Sequence, residues 1–380
     1  MNIKIVVGAN YGDEGKGLAT DYFAYKANDR VIGVLTNGSS QRAHTVDTID
    51  GKHHIFNHFS SGTFRGADTY ICKDFIIDPI RFVDEYLELY HQYGIEPKVY
   101  IHPECKFITP FDILSNLKEQ ENTGKHNTCG NGVWKTIERY KKGYGALGIR
   151  KYLYANIETT SSSDPYYYWT ELNHYYKNDI TNYDAHINIE GLKVRYKMDL
   201  DFLLAHSLFV EESILKSYDT IIFENGQGLL LGEQQSEETW WSGTPSNTGC
   251  LIASNIINDN MLRGIIEVCY VTRTYLTRHG IGELPNECKF KEDINISIGY
   301  DATNYRNTTQ GCLRYAPLDI ESLQERIDQD FLLAPFGSRK SIMFTHWNEN
   351  KIKLSDKDDF IDNIDRLYIS KTKNAEDIHP

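Results

Sequence analysis

Near the N-terminus, the hexapeptide Gly12-Asp13-Glu14-Gly15-Lys16-Gly17 combines residue types that hold an anion with residue types that move a proton or bind a metal. Glycines let main-chain N–H groups approach a phosphate with no Cβ in the way. A helix N-terminus behind such a turn adds its own amides, and Lys16 adds a positive charge at the same place. The stretch is not the GxxxxGK[ST] phosphate loop, which needs glycine at position 10 and serine or threonine at 17; the chain has Asn10 and Gly17 there. It also carries two acids, Asp13 and Glu14, that a plain phosphate cradle would avoid. An acid inside an anion site points to a metal ion or to a proton in transit.

The flanking elements must present this turn. Ile3 to Val7 is a short apolar run that predicts a buried strand, and Leu18 to Lys26 predicts a helix after the turn. Val31 to Leu35 is a second buried strand. Strand, turn, helix, strand opens a parallel α/β sheet. Asp78-Pro79 predicts a helix start, with Asp as N-cap and Pro at the first helical position, and Gly94 predicts its end. Val99 to Ile101, Thr220 to Phe223, Ile265 to Val271 and Ser341 to Phe344 read as further strands, and Leu203 to Lys216 as a helix. The segment from about Tyr152 to Tyr176, rich in Tyr, Ser and Thr, reads as an inserted lid whose rings could stack on a base. The expected fold is therefore α/β, a mostly parallel central sheet with flanking helices and insertions forming lids.

With 380 residues, 40% of them hydrophobic, the chain can bury a large core. No Pro-, Gly- or Ser-rich linker divides it, so residues 1–380 read as one large domain, although about 150 residues per domain would allow two. A formal net charge of −13 argues against a nucleic-acid partner, which favours a positive stripe. It leaves room for a local basic pocket around a small anion. No apolar run reaches the roughly 18 residues of a membrane span. Met1-Asn2-Ile3-Lys4 leads into the first strand with no signal-peptide pattern. Seven scattered cysteines without a CxxC pair argue against disulfides and zinc, and for a reducing, cytoplasmic setting.

Gly8-x-x-Tyr11-Gly12-Asp13-Glu14-Gly15-Lys16-Gly17 resembles the N-terminal signature of adenylosuccinate synthetases. Weaker islands follow in the family's order. Ala43-His44-Thr45 resembles the end of its NAGHT motif, and Thr128-Cys129-Gly130-Asn131-Gly132 its TTGxG loop. Phe223 to Gly228 resembles EGAQG, Thr244 to Thr248 resembles VTSSNT, and Thr272 to Gly280 resembles AYTTRVG. The resemblance implies a C–N ligase that phosphorylates the purine 6-oxygen with a nucleoside triphosphate and then displaces that phosphate with the amine of L-aspartate. It implies that Asp13 is the base on purine N1 and a Mg²⁺ ligand, that the carbonyl of Ala43 is a second metal ligand, and that His44 stabilises the transferring phosphoryl group. It further implies that Gly12 to Gly17 and Cys129 bind nucleotide, that Thr128 and Thr244 hold the purine nucleotide's phosphate, and that Gln227 contacts the base. A homodimer is also implied.

Four departures from the family pattern bear on specificity. The aspartate loop TTGRxRR appears as Asn307 to Arg314, leaving Thr308, Thr309, Arg306 and Arg314 to grip a dicarboxylate. The guanine-reading TKxD motif appears as Thr345-His346-Trp347-Asn348, and an amide cannot offer guanine the two-acceptor edge of a carboxylate. Trp347 or His346 could stack on a base instead. The arginine that a partner subunit supplies in the family has Arg139, Lys141 and Lys142 as nearby substitutes, and Ser39-Ser40-Gln41-Arg42 replaces HNAG before His44. These departures favour ATP or dATP over GTP. They point to the family's viral branch, which joins aspartate to dGMP on the way to 2-aminoadenine (an N6-succino-2-amino-2'-deoxyadenylate synthase), working in the host cytoplasm. The alternatives are the housekeeping reaction with IMP and GTP, and a non-catalytic nucleotide-binding paralogue. The acid in the phosphate turn argues against the paralogue.

Overall fold

The computed structural model describes residues 1–123, 130–144, 172, 174–176, 188–231, 249–280, 282–288, 312–349 and 362–379. In chain order the elements are β1 (Asn2–Gly8), α1 (Lys16–Lys26), β2 (Val31–Leu35), β3 (Gly38–Ser39), β4 (His44–Asp47) and β5 (His53–Phe56). Next come β6 (Asp68–Ile71), β7 (Phe75–Ile77), α2 (Pro79–Tyr93), β8 (Val99–Ile101), β9 (Lys106–Phe107), α3 (Pro110–Thr123) and α4 (Val133–Lys141). The remainder holds α5 (Ile189–Ala205), β10 (Ser207–Phe209), β11 (Thr220–Gly228), α6 (Leu251–Asp259), β12 (Ile265–Arg273) and β13 (Tyr275–Arg278). It ends with β14 (Arg314–Pro317), α7 (Ile320–Phe331), β15 (Arg339–Thr345) and β16 (Arg366–Ile369).

Nine strands form one sheet in the order β10-β8-β6-β2-β11-β1-β12-β15-β16, and every neighbouring pair is parallel. Parallel strands must be covered on both faces, which is why their sequences are continuous apolar runs. Alternate residues divide between the two faces. Ile3, Ile5 and Val7 of β1 join Ile221, Phe223, Val268, Tyr270, Ile342 and Phe344 beneath α6 and α7. Val6, Ile222, Cys269, Val271 and Met343 pack on the opposite face against α1. A further cluster joins Leu35, Ile71, Val99 and Ile101 to α2 and α5.

The chain builds leftward from β1 through β2, β6, β8 and β10, inserts β11 beside β1, and then builds rightward. The topological switch therefore lies at β1, and ligands of such sheets bind outside the strands' carboxyl ends at that point. Among the described residues no disulfide forms, and no helix is long and apolar enough to cross a membrane.

One expected element needs correction. Leu203 to Lys216 is not a helix: α5 ends at Ala205, Ser207–Phe209 is the edge strand β10 on β8, and Glu212–Ser217 is a 3-10 turn. The Ser207 hydroxyl donates to the Leu203 carbonyl at 2.6 Å at the break. The apolar run Leu203 to Val210 suits a helix end as well as a short buried strand, and pairing with β8 decides between them.

α2 begins as its sequence dictates. The Asp78 carboxylate accepts from Ile80 N at 3.1 Å, and Gly94 closes the helix at φ 68. Asp78→Ala is expected to lower unfolding free energy by about 0.5–2 kcal/mol, and Asp78→Ser to restore most of it, as read from urea denaturation midpoints. Equal midpoints for all three proteins would mean that Pro79 alone fixes this helix start.

Candidate active site

The turn after β1 is organised around its own acid. Gly12 and Gly15 take φ 93 and 97, and Asp13 takes φ 57, an unusual conformation for a non-glycine residue. This winding turns main-chain amides inward. The buried Glu14 carboxylate accepts from Asn10 N at 2.9 Å and Gly12 N at 2.8 Å, and it pairs with the Lys16 ammonium at 3.1 Å. A Cβ on Gly8 would lie 2.6 Å from that carboxylate, so glycine is required there.

Neighbouring strands fix the turn from outside. The Thr345 hydroxyl, at the end of β15, donates to the Glu14 carbonyl at 2.7 Å. Arg273 Nε, at the end of β12, donates to the Asp13 carbonyl at 2.5 Å. Arg326 of α7 donates to the Ala9 carbonyl at 2.7 Å, and Asn10 Nδ2 donates to Thr272 at 2.8 Å. The Asp13 side chain stays 31% exposed, its carboxylate 3.5 Å from His279 Nε2, so it can meet a ligand that Glu14 cannot.

His44 opens β4 beside the first turn of α1, and a Cβ on Gly17 would lie 2.8 Å from the Thr45 carbonyl and 3.1 Å from His44. This close approach explains glycine where a serine or threonine was the alternative. His44 Nδ1 lies 2.6 Å from Glu224 Oε1, in the middle of β11. Glu224 is wholly buried and also receives Arg42 Nη2 at 2.7 Å, Ser61 N at 3.1 Å and the Ser61 hydroxyl. Burial pushes this carboxyl upward, but Arg42, His44 and Ser61 outweigh it and hold Glu224 below the usual carboxylate range. Arg42 Nε also donates toward the same Nδ1 at 3.0 Å, so which of the two neighbours this nitrogen serves depends on the tautomer. Burial pushes the His44 imidazole down to about 3, Arg42 acts the same way, and Glu224 opposes both. His44 is therefore neutral before ligand arrives, with Nε2 lacking a hydrogen-bond partner among the described residues.

At the far end of β15, Asn348 is exposed and Trp347 packs edge-on to Phe344, into the core rather than toward a ligand. His346 takes φ 54 and sets Nδ1 2.9 Å from Glu349, whose other oxygen receives the Tyr275 hydroxyl at 2.5 Å. Arg314 opens β14 directly across from Arg278 of β13. It contacts Glu287 at 2.6 Å and the Gly282 carbonyl at 2.7 Å, while Arg278 stacks 4.7 Å from the Tyr11 ring centre. Gln227 is half-buried near the end of β11, and Ala43 is exposed immediately before His44. Thr128, Cys129, Thr244, Arg306, Thr308 and Thr309 lie outside the described residues.

Arg139 is not a surface residue that could reach a partner subunit. It is 1% exposed, gripped by Asp112 at 2.9 and 3.0 Å, and it donates to the Phe107 carbonyl at 2.8 Å. Tyr176, the last residue of the Tyr-rich segment, is buried with its hydroxyl on the same Asp112. Lys141 and Lys142, by contrast, are exposed. The residues 152–171 lie outside the described set.

Sequence reasoning gave no role to Glu224, Ser61, Arg273, Arg278 or His279. The one usable signal was an acid directly after the apolar run Ile221-Ile222-Phe223, since a charge at a buried strand end needs a partner.

Gly17→Ser would imitate the commoner phosphate loop in sequence only. The added Cβ meets the Thr45 carbonyl, so a loss of about 1–3 kcal/mol in stability is expected from overpacking. Tripolyphosphate binding should weaken as His44 is displaced. Unchanged denaturation together with tighter binding would show that α1 can retreat from β4 at no cost.

Comparison with known proteins agrees with this architecture. Adenylosuccinate synthetase of Mesoplasma florum is 27% identical over 340 residues, spanning 86% of this chain and 74% of that protein. The succinoaminodeoxyadenylate synthetase of cyanophage S-2L, solved with dGMP and with dATP as energy donor, superposes with a TM-score of 0.63 at 15% identity, covering 100% of this chain and 95% of that one. The fully ligated adenylosuccinate synthetase of Plasmodium falciparum superposes with a TM-score of 0.67 at 16% identity, over 91% of this chain and 77% of that one. The family profile described as adenylosuccinate synthetase matches residues 5–330. From β1 to the last turn of α7, then, the chain belongs to the adenylosuccinate synthetase family of nucleotide-dependent C–N ligases.

Proposed function

We propose that this ligase joins L-aspartate to C6 of dGMP, using ATP or dATP as phosphoryl donor. The observation that carries the chemistry is the contrast inside the anion turn: Glu14 is buried among amides, and Asp13 is held open at a left-handed corner. In this reading Asp13 removes the N1 proton while the purine 6-oxygen attacks the γ-phosphorus and the nucleoside diphosphate departs. The aspartate amine then attacks C6, and phosphate leaves with the 6-oxygen. Lys16 and the turn amides neutralise charge on the phosphates, and His44 meets the transferring group, which is the main catalytic demand of phosphoryl transfer. Gly12 to Gly17 would cradle the triphosphate, and Gln227 at the end of β11 would contact the acceptor base.

Mg²⁺ fits the donors present: the Asp13 carboxylate and the Ala43 carbonyl are oxygen ligands of the kind this ion takes. When bound, it supplies positive charge to the donor phosphates. For the amine, Arg314 and its cross-strand neighbour Arg278 offer two guanidinium groups to a dicarboxylate, with Glu287 balancing Arg314.

The finer reading rests on Asn348, an exposed amide at the position of the guanine-reading aspartate. The ligands named for the cyanophage neighbour support it. The curated relative from Mesoplasma favours the other reading, IMP with GTP. A panel of IMP, GMP and dGMP, each with aspartate and ATP, dATP or GTP, separates the two. Highest kcat/KM is expected for dGMP, with ATP or dATP ahead of GTP by about tenfold, the equivalent of 1.4 kcal/mol. A clear preference for IMP and GTP would assign the chain to the housekeeping reaction, and no succinylated product with any pair would make it a binding paralogue.

Asp13→Asn should lower kcat by a factor on the order of 10² or more while the melting profile stays unchanged. Normal turnover by the folded variant would remove Asp13 from the mechanism.

A further inference from the structure

Arg42 stands two positions before His44, where the family's NAGHT motif has alanine, and its place in the structure is unusual for a surface-loop residue. The guanidinium is fully buried. Its Nη2 donates to Glu224 at 2.7 Å, to the Phe59 carbonyl at 3.2 Å and to the Ser61 hydroxyl at 3.3 Å. Its Nε lies 3.0 Å from His44 Nδ1, and its Nη1 has no hydrogen-bond partner among the described residues. A buried ion pair is weak support for a fold, because apolar residues of similar volume serve as well or better. Stability alone therefore does not account for a guanidinium here.

We infer that Arg42 is a positioning residue of this enzyme: it fixes the Glu224 carboxylate against His44 Nδ1 and so directs His44 Nε2 toward the phosphoryl group. The inference rests on the catalytic reading of His44 above. The geometry explains why one residue suffices. Glu224 Oε1 is shared by Arg42, His44 and the Ser61 hydroxyl, while Oε2 is held by Ser61 N. Ser61 holds both oxygens through its amide and its hydroxyl, and Arg42 sets one arm of its guanidinium fork, Nη2, on Oε1 and another, Nε, beside His44 Nδ1, so carboxylate and imidazole are held together. A guanidinium supplies that fork and an ammonium does not.

The test compares wild type, Arg42→Ala, Arg42→Lys, Glu224→Gln and the double variant Arg42→Ala/Glu224→Gln, with all substrates varied. In Arg42→Ala, kcat should fall about 10- to 100-fold, while KM for each nucleotide and for aspartate moves less than about threefold, the signature of a contact that matters in the transition state. Added guanidinium ion should restore kcat saturably, and ammonium should not. Arg42→Lys should behave like Arg42→Ala. In the Glu224→Gln background, removing Arg42 should add less than about twofold, because both act through one carboxylate. The inference is overturned if the folded Arg42→Ala enzyme keeps its kcat, if only KM rises, or if the two substitutions multiply. Should Arg42→Ala not fold, Arg42→Lys and the double variant, which leaves no lone buried charge, carry the same comparison. Absence of turnover in wild type would instead strike the catalytic reading of His44.

Discussion

Everything at the carboxyl end of this sheet is arranged about a carboxylate that never meets solvent. Glu14 draws Asn10 N, Gly12 N and the Lys16 ammonium onto itself and so winds the turn that follows β1. With the turn wound, Asp13 is forced to its left-handed corner, the Glu14 carbonyl reaches Thr345, and the Asp13 carbonyl reaches Arg273. The same winding starts α1 at Lys16, which brings Gly17 against the backbone of His44. A phosphate group would meet these amides with the same charge that Glu14 brings. The turn is thus held in a ligand-like state by an internal anion, a form of preorganisation that removes part of the ordering cost of binding.

Two buried acids divide the work around this centre. Glu14 sets main-chain geometry, whereas Glu224 sets a side chain, His44, from a strand that neighbours β1 in space and not in sequence. Burying either charge is costly without partners, and each has several. Asp13, the proposed base, is left as the more accessible acid of the turn. Rigid support beneath an open reactive group is what a positioning-dominated reaction requires.

The sheet was readable in sequence wherever a strand is covered on both faces. Ile3–Val7, Val31–Leu35 and Val99–Ile101 are short apolar runs between turns, and Asp78-Pro79 and Gly94 mark both ends of α2 through backbone chemistry that needs no tertiary contact. Leu203–Lys216 was misread because an edge strand three residues long has no periodicity of its own. In the site, the turn was legible because its glycines answer a local constraint. The Arg42–Glu224 pair was not, since 182 residues separate its members and neither type is expected in a core. Arg139 failed in the opposite sense: a charge that looked available is neutralised by Asp112 inside the fold. Asn348 is legible only against the family motif, because an exposed amide answers no local constraint of its own.

The strand order has a consequence for how the protein comes into being. β1 leaves the ribosome well before its two neighbours, β11 and β12, which begin at Thr220 and Ile265. Until both are synthesised, Ile3, Ile5 and Val7 have no strand beside them, and the turn that follows lacks its braces from Arg273, Arg326 and Thr345. Non-local parallel pairing of this kind is slow and exposes apolar edges while it waits. The nascent chain therefore carries an unfinished anion turn until β12, α7 and β15 have been made, and β1 waits for strands that follow it by more than 200 residues.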